Sequence, residues 1–203
     1  MKQRKPVGIF GGTFDPIHYG HLVAAEHSRH ILGLDKVIFV PAARPSHKSP
    51  VLVSHPKDRF NMVEIAVKDN PFFEVSTIEL HRLGTSYTID TVECLLTEDP
   101  DLDLHLIIGL DSYLSLDTWK EYRRLSALCR LVVVNRPGYN VSKDLSRSEP
   151  HAISVSIPGM EISSSNIRYR VAKGMPIRYL LPDGVAEYIR NRGLYREGGA
   201  SNI

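Results

Sequence analysis

The run Val7-Gly-Ile-Phe-Gly-Gly-Thr-Phe-Asp-Pro-Ile-His-Tyr-Gly-His21 joins a short apolar segment to a glycine pair and two histidines. The apolar residues at its start predict a strand buried on both faces. Gly11 and Gly12 then let the backbone approach a ligand closely, or turn with positive φ. A helix beginning near Tyr19 would direct its free N–H groups and positive dipole end at the same place. His18 and His21, three residues apart, would face one point from its first turn. Together these features read as an anion site, most simply one for phosphate. The dinucleotide fingerprint G-x-G-x-x-G and a terminal G-K-[ST] are both missing here. No HExxH and no nearby Cys completes a zinc site around His18 and His21. His27 and His30 read as solvated surface residues further along the helix.

Outward from this run, strand and helix patterns alternate. Lys36-Val-Ile-Phe-Val40, Leu104-His-Leu-Ile-Ile108 and Leu131-Val-Val-Val134 read as strong buried strands. Phe73-Glu-Val-Ser76 is weaker, and Ile153-Ser-Val-Ser-Ile157 alternates. Leu22, Ala25 and Leu32 share a helix face that Gly33 would stop. Ser54 is the expected cap of a second helix, with Pro56 in its first turn and Phe60, Val63 and Val67 on its apolar side. Thr88 to Leu96 predicts a third helix, and Trp119, Tyr122 and Leu125 form another apolar stripe. Pro182 to Arg192 predicts a last helix, ended by Gly193. The expected class is α/β: a Rossmann-like, doubly wound parallel sheet with helices on both faces and a helical C-terminal extension. Residues 1–203 are expected to form a single domain, with about 160–195 as the helical C-terminal part and Arg136 to His151 as a long internal loop.

Composition narrows the class of partner. The 203 residues are 42% hydrophobic and 24% charged, with a formal charge of +2. That argues against wholesale disorder, and against a highly basic nucleic-acid binder. Cys94 and Cys129 are too few for a disulfide framework. The N-terminal apolar stretch is broken by Gly8, Gly11, Gly12 and Asp15, unlike a signal peptide. No window approaches the ~20 apolar residues of a membrane span, so the expected compartment is the cytoplasm, without membrane contact.

A second motif lies near the other end. In Ile162-Ser-Ser-Ser-Asn-Ile-Arg168, the serines Ser163, Ser164 and Ser165 can cap a helix start and offer donors to an anion. Arg168 follows within about one turn and can reach the same ligand. Gly11-Gly-Thr-Phe-Asp-Pro-Ile-His-Tyr-Gly-His21 resembles the signature of the HxGH nucleotidylyltransferases, and the serine motif resembles their second signature. Ser86-Tyr-Thr-Ile-Asp-Thr91, Gly109-Leu-Asp111, Trp119 and Arg136-Pro-Gly-Tyr139 extend the likeness over nearly the whole chain, towards the bacterial nicotinate-nucleotide adenylyltransferases. Ser46 and Ser165 depart from that family, which usually has Pro and Thr there.

The resemblance implies a reaction: ATP plus nicotinate mononucleotide gives nicotinic acid adenine dinucleotide and pyrophosphate. It implies that His18, His21 and Arg168 are catalytic. His18 and His21 would bind the ATP phosphates, His18 nearer the α-phosphate, and Arg168 with Ser164 and Ser165 would hold the β- and γ-phosphates. Gly11, Gly12, Thr13 and Phe14 would line the ATP site with Ile162 and Ser163, while Gly109 and Asp111 would contact the adenosine half. Thr13 and the Gly12 backbone would orient the reacting groups. His47 and Lys48 would add positive charge near the acceptor phosphate or pyrophosphate, against the alternative of a solvated loop. Arg136 is a further candidate for the acceptor phosphate. Trp119 would stack on the pyridine ring, against the alternative of core packing on a helix with Tyr122 and Leu125. Tyr87 and Thr88 would offer backbone N–H groups to the nicotinate carboxylate. Magnesium is expected with ATP, without a dedicated protein site. Rival readings are a related transferase using nicotinamide mononucleotide, phosphopantetheine or a cytidylyl acceptor, and a non-catalytic ATP sensor on the same fold.

Overall fold

Lys5–Gly12 forms strand β1, in which Val7, Gly8, Ile9 and Phe10 are all buried. The computed structural model describes residues 4–45, 53–135 and 152–196. Helix α1 (Tyr19–Leu32) follows and ends at Gly33, whose φ of 62° is left-handed. Next come β2 (Lys36–Pro41), α2 (Pro56–Val67), β3 (Phe73–Val75), α3 (Thr88–Glu98) and β4 (Leu102–Gly109). A short α4 (Leu110–Leu114) and a 3-10 turn (Leu116–Thr118) lead to α5 (Tyr122–Leu128), β5 (Arg130–Asn135) and β6 (Ile153–Ser156). The C-terminal part carries α6 (Ser164–Ala172) and α7 (Asp183–Asn191).

The six strands form one sheet in the order β3-β2-β1-β4-β5-β6. Every neighbouring pair is parallel. Period-two alternation divides the core. Val7, Ile9, Leu104, Leu106, Leu131 and Val133 meet Ile89, Val92 and Leu95 of α3 and Leu125 of α5 on one face. Phe10, Phe39, Ile107 and Val132 meet α1, α2, α6 and α7 on the other. The doubly wound reading and the helical C-terminal extension both hold. The extension is fastened to α2: the Tyr188 hydroxyl donates to Asp58 Oδ1 at 2.7 Å, and Asn61 Nδ2 donates to the Tyr188 oxygen at 2.9 Å.

The structure corrects three details. The cap of α2 is His55, whose Nδ1 accepts from the Lys57 N–H at 3.3 Å, not Ser54. Phe60 is only half-buried; the inward face of α2 carries Asp58, Arg59, Met62, Val63 and Val67. Trp119 is not on a helix with Tyr122 and Leu125. Glu121 takes a left-handed φ of 51°, so α5 begins only at Tyr122.

Candidate functional site

β1 stays paired with β2 out to Gly12 and Pro41, but its pairing with β4 ends at Ile9 and Leu106. Strand order reverses between these two strands, which is where open α/β sheets form a crevice at their carboxyl edge. Gly11, Gly12 and Gly109 stand at that edge. Gly12 is required by close packing: a Cβ there would lie 2.9 Å from the Phe14 ring.

The imidazoles of the first signature meet at the start of α1. Their ring centroids are 3.7 Å apart, and His18 is 6% exposed. The His18 backbone N–H donates to His21 Nδ1 at 3.2 Å. A neutral His21 so held carries its proton on Nε2, leaving that nitrogen as a donor. Phe14 and Phe10 set the ring edge-on, with centroids at 5.2 and 6.0 Å. One expectation needs correcting. The first-turn N–H groups of α1 are not all left for an anion, because Tyr19 N donates to the Leu180 carbonyl at 3.1 Å and His18 N is taken by His21. The C-terminal part thus takes one of these amides and the His21 ring another.

The second signature docks on the first. Ser163 caps α6 by accepting from the Asn166 N–H at 3.2 Å. Ser164 Oγ donates to the Pro16 carbonyl at 2.9 Å, and Arg168 Nη1 donates to the Asp15 carbonyl at 2.7 Å. Arg168 Nη2 also donates to Ser165 Oγ at 3.3 Å, which orients the guanidinium. Asp15 is itself 3% exposed; it accepts from the Tyr195 hydroxyl at 2.6 Å and from the Ser54 N–H at 3.3 Å. Burial, reinforced by that carboxylate, pushes the Tyr195 hydroxyl far above the ordinary tyrosine range, so it remains a donor.

Two cavities adjoin along the crevice. The larger, about 540 Å³, takes Gly11, Gly12, Phe14, His18, His21, Gly109, Asp111, Ile162, Ser163 and Ser164 into its walls. The smaller, about 390 Å³, is lined by Gly11, Gly12, Thr13, Tyr87, Thr88 and Trp119. Gly11, Gly12, Ile108, Ser112 and Trp119 are shared by both walls. Tyr87 and Thr88 sit where expected, at the cap and first residue of α3. Ser165 and Arg168 are not in the larger cavity's lining: Arg168 is bonded to the Asp15 carbonyl, and Ser165 to Arg168. His47, Lys48 and Arg136 lie outside the described residues.

Several residues of the site carry no sequence signal of their own. Asn135 ends β5 in the larger cavity. Glu79, 7% exposed, lines the smaller one and accepts from Thr91 Oγ1 at 2.7 Å. Lys120 also lines it, with its ammonium 2.9 Å from Asp90 and 4.8 Å from the centre of the Tyr87 ring. The hydrogen bond from Lys120 to Asp90 raises the lysine pKa. A buried Glu79 has no motif to flag it, although its spacing from Arg82 and Thr91 becomes intelligible once the three are seen bonded together.

The cytidylyltransferase-like family model matches residues 9–170. A probable nicotinate-nucleotide adenylyltransferase of Desulfitobacterium hafniense (strain Y51) is 45% identical over 199 residues, covering 95% of this chain and 96% of the relative. Another, from Moorella thermoacetica, is 47% identical over 199 residues, covering 94% and 91%. In fold the chain is similar to Plasmodium falciparum nicotinic acid mononucleotide adenylyltransferase complexed with NaAD, with a TM-score of 0.80 at 20% identity, over 94% of this chain and 97% of that one. The chain belongs to the cytidylyltransferase-like family and, within it, to the nicotinate-nucleotide adenylyltransferases.

Proposed function

We propose that the chain transfers the adenylyl group of ATP to nicotinate mononucleotide, releasing pyrophosphate. The observation that carries this reading is the pair of cavities with a common wall at Gly11, Gly12 and Trp119. A transfer between two nucleotides needs two sites that meet where the bond is made. The relatives' names identify the acceptor class.

In this reading the acceptor's phosphate oxygen attacks the α-phosphorus of ATP, forming the new P–O bond. The bond from the α-phosphorus to the bridging oxygen breaks, and pyrophosphate leaves with that oxygen. A phosphate is already largely ionised at neutral pH, so no strong base is required. Catalysis rests on alignment and on charge stabilisation. The larger cavity takes ATP. His18 and His21 donate to its phosphates around the reacting phosphorus, and Ser163 and Ser164 line the part that takes the β- and γ-phosphates. Arg168, bonded to the Asp15 carbonyl and to Ser165, supports that wall from outside the cavity. The smaller cavity takes the acceptor, with Trp119 against the pyridine ring and the Tyr87 and Thr88 N–H groups facing its carboxylate. An amide at that position would bring its own NH₂ against the same donors, which disfavours it. Magnesium enters with the ATP phosphates, oxygen ligands of the kind it favours. The described residues present no group of three or more His, Cys, Asp or Glu that could hold it.

The test is a pyrophosphate-release assay with ATP and, in turn, nicotinate mononucleotide, nicotinamide mononucleotide and phosphopantetheine. Release with the first acceptor at the highest kcat/KM is expected. Preference for another acceptor reassigns the smaller cavity, and ATP binding without release from any of them identifies a sensor.

A further inference from the structure

Arg59 is 1% exposed, in the middle of the inward face of α2, and lines neither cavity. Its three guanidinium nitrogens each donate to a different main-chain carbonyl. Nη1 reaches Thr13 at 2.8 Å, Nη2 reaches Ala43 at 3.1 Å, and Nε reaches Ser54 at 2.9 Å. These carbonyls belong to the turn after β1 and to the connection between β2 and α2, the two loops at the carboxyl edge next to the crevice. Burial works against the charged guanidinium, and Asp15 and Glu79, both buried, offset part of that cost electrostatically.

A buried cation is costly, and an apolar side chain could fill the same space. What an apolar side chain could not do is bind three carbonyls at once. Carbonyl oxygens pointing into a phosphate site would repel the ligand. The C=O of one residue and the N–H of the next point in opposite directions across a trans peptide. Drawing the Thr13 carbonyl inward therefore turns the Phe14 N–H away from Arg59. The neighbouring carbonyls of the signature are held likewise. Gly12 O accepts from Ala42 N at 2.9 Å, Asp15 O from Arg168, and Pro16 O from Ser164.

We propose that Arg59 is a positioning residue for phosphate transfer: by tying down the Thr13, Ala43 and Ser54 carbonyls it presets the turn that receives the phosphates of ATP. This rests on the reading of the larger cavity as the ATP site. Arg59 touches no substrate. Lysine at this position keeps the charge but is a point donor that cannot reproduce the fork.

The experiment compares the full chain with Arg59→Lys, at a temperature where circular dichroism shows both folded. With the turn misplaced by a fraction of an ångström or more, kcat falls about a hundredfold. A kcat within about twofold of the parent, whatever happens to the unfolding midpoint, overturns the proposal. Val67→Ala, a buried position at the far end of the same helix and outside both cavities, is the destabilised control and keeps its kcat. Calorimetry with ATP alone separates this inference from the assigned reaction. If the parent makes no product from any acceptor, the reaction is wrong, yet Arg59→Lys should still bind ATP at least about tenfold more weakly. Equal affinity overturns the inference. If the variant does not fold, a crystal structure of the parent with ATP decides. The guanidinium remaining on all three carbonyls supports the proposal, and a Thr13 carbonyl turned towards the phosphates overturns it.

Discussion

The His18 and His21 rings are stacked at 27° to one another, and the His18 backbone N–H is bonded to His21 Nδ1. One imidazole therefore does two jobs. It closes the first turn of α1 from N3, as Gln or Glu does in a capping box, and its ring lines the larger cavity.

His21→Gln separates those jobs, because glutamine can reach back to the His18 N–H but has no imidazole. The expected result is an unfolding midpoint close to the parent's, with kcat lowered more than about tenfold, or ~1.4 kcal/mol of transition-state stabilisation. Stopped assays paired with thermal unfolding check it. A kcat within a factor of two would remove His21 from the chemistry.

Gly20→Ala should divide stability from activity. Alanine is favoured over glycine in a helix by about 0.5–1 kcal/mol. The new Cβ would stand 3.0 Å from Cε1 and Nδ1 of the His18 ring, however, so the ring must shift. A midpoint equal to or above the parent's is expected, with turnover reduced about tenfold or more. Full activity in a well-folded variant would show that the position of the His18 ring is unimportant.

Trp119 is half-buried on the core beneath it and walls both cavities. Its replacement by alanine should raise KM for the acceptor by up to about tenfold, the scale of ~1.5 kcal/mol for an aromatic contact. Phenylalanine should restore most of that. Steady-state kinetics with the acceptor varied at saturating ATP decide it, and an unchanged KM means the indole serves packing alone.

Cys129 carries a pH prediction. Its thiol is 8% exposed, and burial pushes its pKa up from 9.0 to about 12. A group raised in the folded state stabilises it fully below the unfolded pKa. That contribution is lost as pH climbs from about 9 towards about 12, by at most ~1.4 kcal/mol per pH unit. Urea unfolding at pH 8 and pH 10 should therefore show a smaller drop for Cys129→Ala than for the parent. Parallel pH dependences would contradict the burial effect.

Both signatures were readable along the chain because their chemistry is local. A glycine pair after an apolar run, two histidines one helical turn apart and three serines before an arginine keep their meaning wherever the sheet puts them. The strands were readable for a similar reason: segments buried on both faces must be apolar throughout. Arg59 was not readable, since an arginine in an amphipathic helix looks like part of its solvated face until three carbonyls are found around it. Trp119 matched a helical stripe by spacing, and the left-handed turn at Glu121 that removes it from the helix has no glycine or asparagine to announce it.

The amino-acid sequence alone thus established the α/β class and the two signatures to which the proposed function assigns the phosphates. Folding established which of their hydrogen-bonding groups face one another. Arg168 meets the Asp15 carbonyl across 153 residues of chain, and Leu180 takes the Tyr19 N–H that local reading would have left for an anion. Such pairings follow from how the C-terminal helices pack on the sheet. No local pattern encodes them, because a main-chain carbonyl or N–H is the same group at every residue that has one.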